Sequence, residues 1–446
     1  MVADRAGAGG CYSAEMGTTV VQPASRILGR LRIPGDKSVS HRYALLAAIS
    51  EGPSIITNYA PGTDCTSTRS CLGALGVAVD RPPDGPDRDL VTIEGCGING
   101  LRAPQGPLDA GNSGTTVRLL AGILAGQKGT STLVGDASLS RRPMGRIIEP
   151  LTRLGARLEG TDGRLPLTVT GGPLTGIDYA PPVASAQGKS AVLLAGLQAR
   201  GRTTVREQQL TRDHTERALP MFGIQLSMNG SEISLEGGQR PIGAELSVPG
   251  DASSAACWAV AAAALPGSEI SLEAVGLNPG RIGFLAALER AGAAISVEDR
   301  TDAGGEPRGT IIVRHGTVSP FEIAPDEVPS VIDELPILAA LATHGGRLRV
   351  TGAGELRHKE SDRIAALATG LRALGGQIDE LEDGFEVDGS KPLTGGQADA
   401  AGDHRLAMAF ALAALGAGAP SEISNAEAVD ISYPGFFHIL RNLSQT

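Results

Sequence analysis

A break of the Leu-Gly type recurs along the chain, at Leu75-Gly76, Leu154-Gly155, Phe222-Gly223, Ala291-Gly292 and Leu374-Gly375. The spacing is roughly 70–80 residues, too long for a solenoid turn but suited to a repeated subdomain. Glycine directly after the last apolar helical position is a C-cap. Strand-like runs follow the later breaks (ARLEG, IQLSM, AISVE, QIDEL). Ahead of each break lie a turn of small polar residues, an apolar Ala/Leu helix, a Thr/Val-rich strand and a second, Arg-bearing helix. Six starts of the apolar helix fit the series, at Ser38, Thr115, Lys189, Ser254, Pro336 and Arg405, and a sixth unit closes at Asn442. The pattern predicts six α/β units.

Two turns punctuate this series. Pro34–Arg42 reads PGDKSVSHR between a strand-like run (Ile27–Ile33) and an apolar helix, and Val248–Ser254 repeats the device as VPGDASS. A strand-to-helix turn aims backbone N–H groups and the positive end of the helix outward, which suits an anion. The first copy adds Lys37, Ser38 and Arg42; the second has no basic residue and reads as structural turn chemistry. With three units before the second copy and three after it, the chain divides into two similar lobes.

Composition narrows the function. Net charge is −10 and aromatics make up 3%, which excludes a chain that attracts nucleic acid over its whole surface or stacks bases. An anionic ligand must be drawn by local Lys and Arg clusters. Five cysteines, an odd number with no CxxC pair, suggest neither a disulfide framework nor a zinc site, and so a reducing compartment. The longest apolar runs, Ala255–Leu265 and Leu406–Ala419, are short of a membrane span. Met1–Gln22 reads as a loose extension, and Arg81–Arg88 and Asp302–Arg308 as surface turns rich in Pro, Gly and Asp.

The remaining chemistry sits at helix starts. DAGNSGTTVR (Asp109–Arg118) offers Gly114 for close backbone approach and Arg118 one helical turn on. GDASLSRRPMGR (Gly135–Arg146) carries three arginines suited to a phosphate or carboxylate. VASAQGKS (Val183–Ser190) ends like a P-loop but has Val183 where that motif needs glycine; Ser185 and Gln187 are left as neutral polar contacts. TRDHTER (Thr211–Arg217) offers Arg212, with His214 and Glu216 as local hydrogen-bond partners rather than a metal pair. In VPSVIDELP, Asp333 reads equally as a helix cap or a general base. In ELRHKESDR, helical spacing puts Lys359 and Arg363 on one face, with Glu360 close by. In GDHRLAM, Asp403 caps a helix, and Arg405 opposes its dipole as if held for a ligand.

Nine motifs in this order, PGDKSVSHR, GNSGTTVRLLAG, GDASLSRRPMGR, SAQGKSAVLLAGL, TRDHTER, IDELPILA, KESDR, DHRLAMA and SYPGFF, resemble the 3-phosphoshikimate 1-carboxyvinyltransferase (EPSP synthase) family over roughly residues 25 to 442. The resemblance implies the two-lobed enolpyruvyl transferase fold, an inside-out α/β barrel with three repeated βαβαββ units in each lobe. One lobe takes residues 1–35 and 249–446, the other 36–248. It implies transfer of the enolpyruvyl group of phosphoenolpyruvate to the 5-hydroxyl of shikimate 3-phosphate, without metal or cofactor. The expected enzyme is a cytoplasmic monomer with no nucleic-acid or membrane partner. By motif, Lys37, Ser38, Arg42, Ser185, Ala186, Gln187, Arg212, Asp333 and Lys359 meet shikimate 3-phosphate. Lys37, Gly114, Arg142, Gln187, Arg363 and Arg405 meet phosphoenolpyruvate. Asp333 takes the hydroxyl proton, Glu360 protonates the methylene carbon, and Lys37 assists.

The sequence also departs from the family. Ile431 stands where one branch carries a lysine ahead of the aromatic-proline pair. SAQ-x-K and R-x-H-x-E resemble a branch noted for tolerating glyphosate, whereas a third pattern of that branch appears only as Asn278-Pro279-Gly280-Arg281, and Gly114 stands where a tolerant enzyme carries alanine. Two rival readings are a sister enolpyruvyl transferase acting on UDP-N-acetylglucosamine and a non-catalytic anion-binding protein. The first expects a cysteine in the arginine-proline loop, and Gly135–Pro143 has none. The second gives no reason for Asp333 and Glu360 among so many cations.

Overall fold

The structure, a computed structural model, describes residues 17–82 and 88–445. Residues 1–16 of the expected extension and 83–87 of the expected Arg81–Arg88 turn lie outside them. The expected loose extension to Gln22 does not hold at its end, where Thr19–Val21 forms a strand antiparallel to Ser421–Ser424. Val21 buries its side chain there, which offsets the entropy of ordering the segment.

The five breaks are helix ends. Gly76, Gly155, Gly223, Gly292 and Gly375 all adopt positive φ, between 77° and 116°, which a side chain would disfavour. The apolar helices run Lys37–Ala48, Gly114–Leu124, Ala186–Gly196, Ala252–Ala264, Leu335–Ala342 and His404–Ala414, each starting slightly ahead of the position read from sequence. They are buried almost all round, Ala252–Ala264 at every residue. Small side chains make this possible. A β-carbon on Gly122 would sit 2.4 Å from the Ala191 carbonyl oxygen, so two of these helices touch through their backbones.

The sheets repeat one order. The sequences are Glu245–Ser247, Glu51–Thr57, Val91–Cys96, Ala78–Asp80; Leu108–Asp109, Gly129–Val134, Arg164–Gly171, Arg157–Thr161; and Asp178–Tyr179, Arg202–Arg206, Glu232–Glu236, Ser227–Asn229. In each, the first pair is parallel and the others antiparallel. The other half repeats this with Arg26–Arg32, Glu269–Gly276, Glu306–Arg314 and Ala294–Ala303, and again with Phe321–Ile323, Arg347–Val350, Phe385–Asp388 and Gln377–Glu380. The sixth sheet has three strands, Gln397–Asp399, Ser421–Ser424 and Thr19–Val21. Two separate cores result. One draws only on residues between Val39 and Val248, the other on Val21–Ile33 and Ala252–Leu440.

The first strand of one sheet in each half comes from the far side of a crossing: Arg26–Arg32 pairs with Glu269–Gly276, and Glu245–Ser247 pairs with Glu51–Thr57. The chain therefore passes between the halves twice, through the two Pro-Gly-Asp turns. Asp36 N–H donates to Pro249 O and Asp251 N–H to Pro34 O, both at 2.8 Å, around a Gly35–Gly250 bridge. Each aspartate then caps the helix it precedes. Arg281 holds the pair, with Nη1 3.5 Å from Asp36 and Nη2 3.1 Å from Asp251, all three side chains buried.

The expected surface turn Asp302–Arg308 is instead the tip of the hairpin formed by Ala294–Ala303 and Glu306–Arg314, and Glu306 is 2% exposed. It packs on the other half: Tyr43 OH donates to Gly304 O at 2.5 Å. Glu306 can be buried there because its charge finds a partner in His214 across the interface, while Asp302 stays exposed.

The two crossing glycines differ in the room around them. A methyl on Gly35 would lie 1.7 Å from the Asn58 carbonyl oxygen; on Gly250 the nearest atom is 2.9 Å away, the Ile33 β-carbon. Gly250→Ala is expected to lose about 1–3 kcal/mol, the usual cost of overpacking, and Gly35→Ala more. Urea denaturation of both variants checks the order, and equal losses contradict the crossing geometry.

Candidate active site

The six buried helices all begin at one place. Their first turns, or the residues just ahead of them, line one cavity of about 410 Å³ between the halves. Lys37 and Ser38 come from the first helix, Gly114 and Thr115 from the second, Ser185, Ala186 and Gln187 from the third. Asp251, Asp333 and the His404-Arg405 pair come from the other three. Local sequence accounts for this: Asp36, Ser113, Ser185, Asp251 and Asp403 each accept a backbone N–H of the following turn. Six positive helix ends facing one space make an anion site before any side chain is counted. Nine lysines and arginines and five carboxylates line the same cavity.

Every expected site residue except Arg42 lines it: Lys37, Ser38, Gly114, Arg142, Ser185, Ala186, Gln187, Arg212, Asp333, Lys359, Glu360, Arg363 and Arg405. Arg42 lies one turn deeper. Its guanidinium donates to Ser38 O at 2.8 Å, Thr215 Oγ1 at 2.7 Å and Ser190 Oγ at 3.0 Å, beneath the cavity floor. Four residues on from Ser38, it shares a helix face but not the helix end. Ile431 does not line the cavity.

The carboxylates and cations interlock across the halves. Arg212 Nη2 donates to Asp333 Oδ2 at 2.8 Å; Arg363 Nη1 lies 3.4 Å and Lys359 Nζ 3.7 Å from Asp333 Oδ1. Glu360 takes Arg363 Nη2 at 2.6 Å and lies 3.4 Å from Arg142 Nη1. Burial alone would raise both acids. Lys359, Arg212, Arg405 and Arg363 outweigh it at Asp333, and Arg363, Arg142, His404 and Lys37 at Glu360, so both stand well below the usual carboxylate range. Lys37 Nζ donates to Asp64 at 3.0 Å; burial and Arg405 lower its pKa, but Asp64 and Glu360 together raise it.

Helical spacing did not foresee how Lys359, Glu360 and Arg363 meet. Asp362 accepts the Ala365 N–H and starts the helix at Arg363, leaving Lys359 and Glu360 in an irregular link. The cavity also takes Asp64, Arg118, Arg146, Arg281, Glu355 and His404, none of them among the expected ligands, although Arg146 is one of the three arginines read as suited to an anion. Arg118 had a signal, one helical turn after Gly114; it donates to Gln187 Oε1, and burial with Arg142 and Arg146 nearby lowers it to about 10. Asp64 stands in a stretch with no local chemical signature, and Arg281 ends Asn278-Pro279-Gly280-Arg281, which the sequence marks only as a partial family pattern.

The P-loop-like lysine is structural. Lys189 is 1% exposed, with Nζ 2.7 Å from Glu207 and 2.6 Å from Glu216. Likewise His214 pairs with Glu306 rather than with a near neighbour. In SYPGFF, Tyr433 accepts the Trp258 indole N–H at 2.9 Å and Phe436 packs on the same ring, away from the cavity. Among the described residues, no group of three or more His, Cys, Asp or Glu could hold a metal, and no helix is long and apolar enough to cross a membrane.

A model of the family described as EPSP synthase (3-phosphoshikimate 1-carboxyvinyltransferase) matches residues 21–440. The chain belongs to the EPSP synthase family. The 3-phosphoshikimate 1-carboxyvinyltransferase of Shouchella clausii (strain KSM-K16) is 46% identical over 422 residues, 94% of this chain and 97% of its own. That of Acidithiobacillus ferrooxidans (strain ATCC 53993 / BNL-5-31) is 50% identical over 418 residues, 94% and 95% respectively. A solved EPSP synthase from Acinetobacter baumannii superposes with a TM-score of 0.84 at 42% identity, covering 97% of this chain and 99% of its own. The enolpyruvyl transferase NikO from Streptomyces tendae, 19% identical with a TM-score of 0.76 over 96% of this chain and 98% of its own, shares the fold. The two-lobed fold read from the repeats is thus that of the EPSP synthases.

Two substitutions separate site from scaffold. A methyl on Gly114 would stand 3.0 Å from Arg118 Nη1 and 3.5 Å from Arg142 Nη1. These guanidiniums are flexible ends, so Gly114→Ala should keep its melting temperature yet weaken inorganic phosphate binding several-fold by titration calorimetry; unchanged affinity contradicts the placement. Lys189→Met leaves Glu207 and Glu216 buried without their cation and should cost about 3–5 kcal/mol in urea denaturation. Wild-type stability with lost phosphate affinity would restore the P-loop reading.

Proposed function

We propose that this chain transfers the enolpyruvyl group of phosphoenolpyruvate to the 5-hydroxyl of shikimate 3-phosphate, releasing phosphate on the route to chorismate and the aromatic amino acids. The observation that carries the reading is the pair Asp333 and Glu360, two carboxylates set among cations in a cavity built from helix N-termini, in a member of the EPSP synthase family. Binding an anion does not call for acids there; moving protons does. The lobes divide at 35/36 and 248/249, at the two crossings. Each chain supplies both halves of the site, which supports a monomer, and the same reading places the enzyme in the cytoplasm.

In this reading Lys37, Ser38, Ser185, Ala186, Gln187, Arg212, Asp333 and Lys359 hold shikimate 3-phosphate, with Arg42 acting through the Ser38 backbone. Lys37, Gly114, Arg142, Gln187, Arg363 and Arg405 hold phosphoenolpyruvate. Asp333 accepts the 5-hydroxyl proton as the oxygen attacks C2, while Glu360 protonates the methylene carbon. A tetrahedral intermediate forms with a new C–O bond. Phosphate then leaves with the hydroxyl's proton, and the methyl returns one proton to Glu360, restoring the vinyl group. The guanidiniums stabilise phosphate and carboxylate charge throughout.

Glu360 must hold a proton to give one, yet in the free protein its neighbours keep it ionised. The substrates resolve this. Their phosphate and carboxylate groups neutralise Arg363, Arg142 and Lys37, the cations that depress Glu360, so its pKa rises when the reaction needs it.

The sister reaction on UDP-N-acetylglucosamine is not favoured. Among the described residues, the free cysteines Cys65, Cys71, Cys96 and Cys257 do not line the cavity.

Phosphate release from phosphoenolpyruvate should require shikimate 3-phosphate and should not be supported by UDP-N-acetylglucosamine; the reverse pattern overturns the assignment. Glu360→Gln should bind both substrates and lose about 10²–10⁴ in turnover. Wild-type turnover in that variant removes Glu360 from the proton transfer.

A further inference from the structure

The Thr211–Arg217 stretch reaches the other lobe at three consecutive residues. Arg212 meets Asp333 in the cavity. Asp213 Oδ1 accepts Asn278 Nδ2 at 2.7 Å. His214 Nδ1 lies 2.6 Å from Glu306 Oε1. Asn278 also donates to Glu306 Oε2 at 3.1 Å, so one amide bridges two carboxylates. Arg217 completes the cluster, donating to Asp213 at 2.9 Å and to Gly305 O at 3.3 Å. Glu306, His214 and Asn278 are each about 3% exposed or less. Polar groups this deep hold one geometry because every alternative leaves a charge unpaired.

The supports are rigid on the far side too. Asn278 Oδ1 accepts the Gly280 N–H at 2.9 Å, closing the Asn278–Arg281 turn on itself, and a β-carbon on Gly280 would touch the Arg212 Cα at 3.7 Å. Arg281 at the end of that turn grips Asp36 and Asp251 at the crossings. Tyr43 fixes the hairpin tip beside Glu306. The turn and the hairpin thus form a third, non-covalent link between the lobes next to the two covalent ones.

We propose that Asn278 and Glu306 are positioning residues for Arg212: from one lobe they hold the Asp213-His214 turn of the other, and so place the guanidinium where it meets shikimate 3-phosphate. Neither residue lines the cavity. Their effect therefore passes through Arg212 and falls on one substrate. The inference rests on the assignment of Arg212 to shikimate 3-phosphate above.

The test uses full-length Glu306→Gln and Asn278→Ala, each alone and combined with Arg212→Ala. Two readouts are taken: amide hydrogen exchange of residues 209–217 in the free protein, and separate KM values for the two substrates. Expected are faster exchange across 209–217, a KM for shikimate 3-phosphate raised about ten- to a hundredfold with that for phosphoenolpyruvate within about twofold, and no further rise once Arg212 is already alanine. Unchanged exchange, an equal rise in both KM values, or additive effects on the Arg212→Ala background overturn the proposal. Should either variant fail to fold, Tyr43→Phe, which removes only the bond to Gly304 O, is expected to move both readouts the same way by less; no movement there counts against the link. If the wild type turns over neither substrate pair, the reaction reading falls by itself, and the exchange data, which need no substrate, still decide whether the link holds the turn.

Discussion

The architecture depends on Arg281 and the two aspartates it holds. Each Pro-Gly-Asp turn ends a strand in one lobe and starts a buried helix in the other, so the pair fixes two strands, two helices and both crossings at once. Asp36 and Asp251 are buried at 3% and 4% exposure. Two carboxylates that deep would repel one another without a shared cation. Arg281 supplies it; burial would lower its pKa, and Asp36 and Asp251 raise it instead. The second copy of the turn, without basic residues of its own, is therefore not a decayed version of the first. It is the opposite half of a clamp whose cation comes from a third place in the chain.

From that clamp the electrostatics of the cavity follow. A chain of net charge −10 concentrates nine lysines and arginines around one space, together with the positive ends of six helices. Repetition of the unit does this economically, since each copy brings one buried helix with its N-terminus inward. Burying such helices requires them to be apolar on all sides, and close approach requires them to be small. The abundance of alanine and glycine and the scarcity of aromatics are thus consequences of the same arrangement that makes the anion site.

Much of this was legible. The positive-φ glycines and the six helix starts could be read because each depends on local signals: a C-cap, an N-cap, a small-residue turn; the fourteen expected site residues came from the family resemblance, and thirteen of them line one cavity because their motifs sit at or near those helix starts. What escaped depends on contacts distant in sequence. Arg42 has the right type and spacing for a ligand, but helical rise carries it beneath the floor. Lys189 imitates a phosphate loop, but its partner Glu216 comes from another helix. Asp302–Arg308 has the composition of a solvated turn, and only the tertiary fold lays Glu306 against His214. Asp64 enters the cavity from a segment whose own sequence carries no hint of it, and Arg281 from one marked only by a partial family pattern.

The ion pairs of the free cavity bear on how the lobes come together. Arg212 with Asp333, Arg142 with Glu360 and Arg146 with Glu355 each join one lobe to the other. Without these carboxylates the gathered guanidiniums would repel; at Arg118 burial first, and then Arg142 and Arg146, lower the pKa to about 10. The protein's own acids thus balance the cations gathered there. On the proposed reaction, entering phosphate and carboxylate groups would pair with the same cations, which raises Glu360 toward the protonated form it needs while Asp333 stays ionised, as a base must. On that reading one set of charges both joins the lobes and sets the protonation of Glu360.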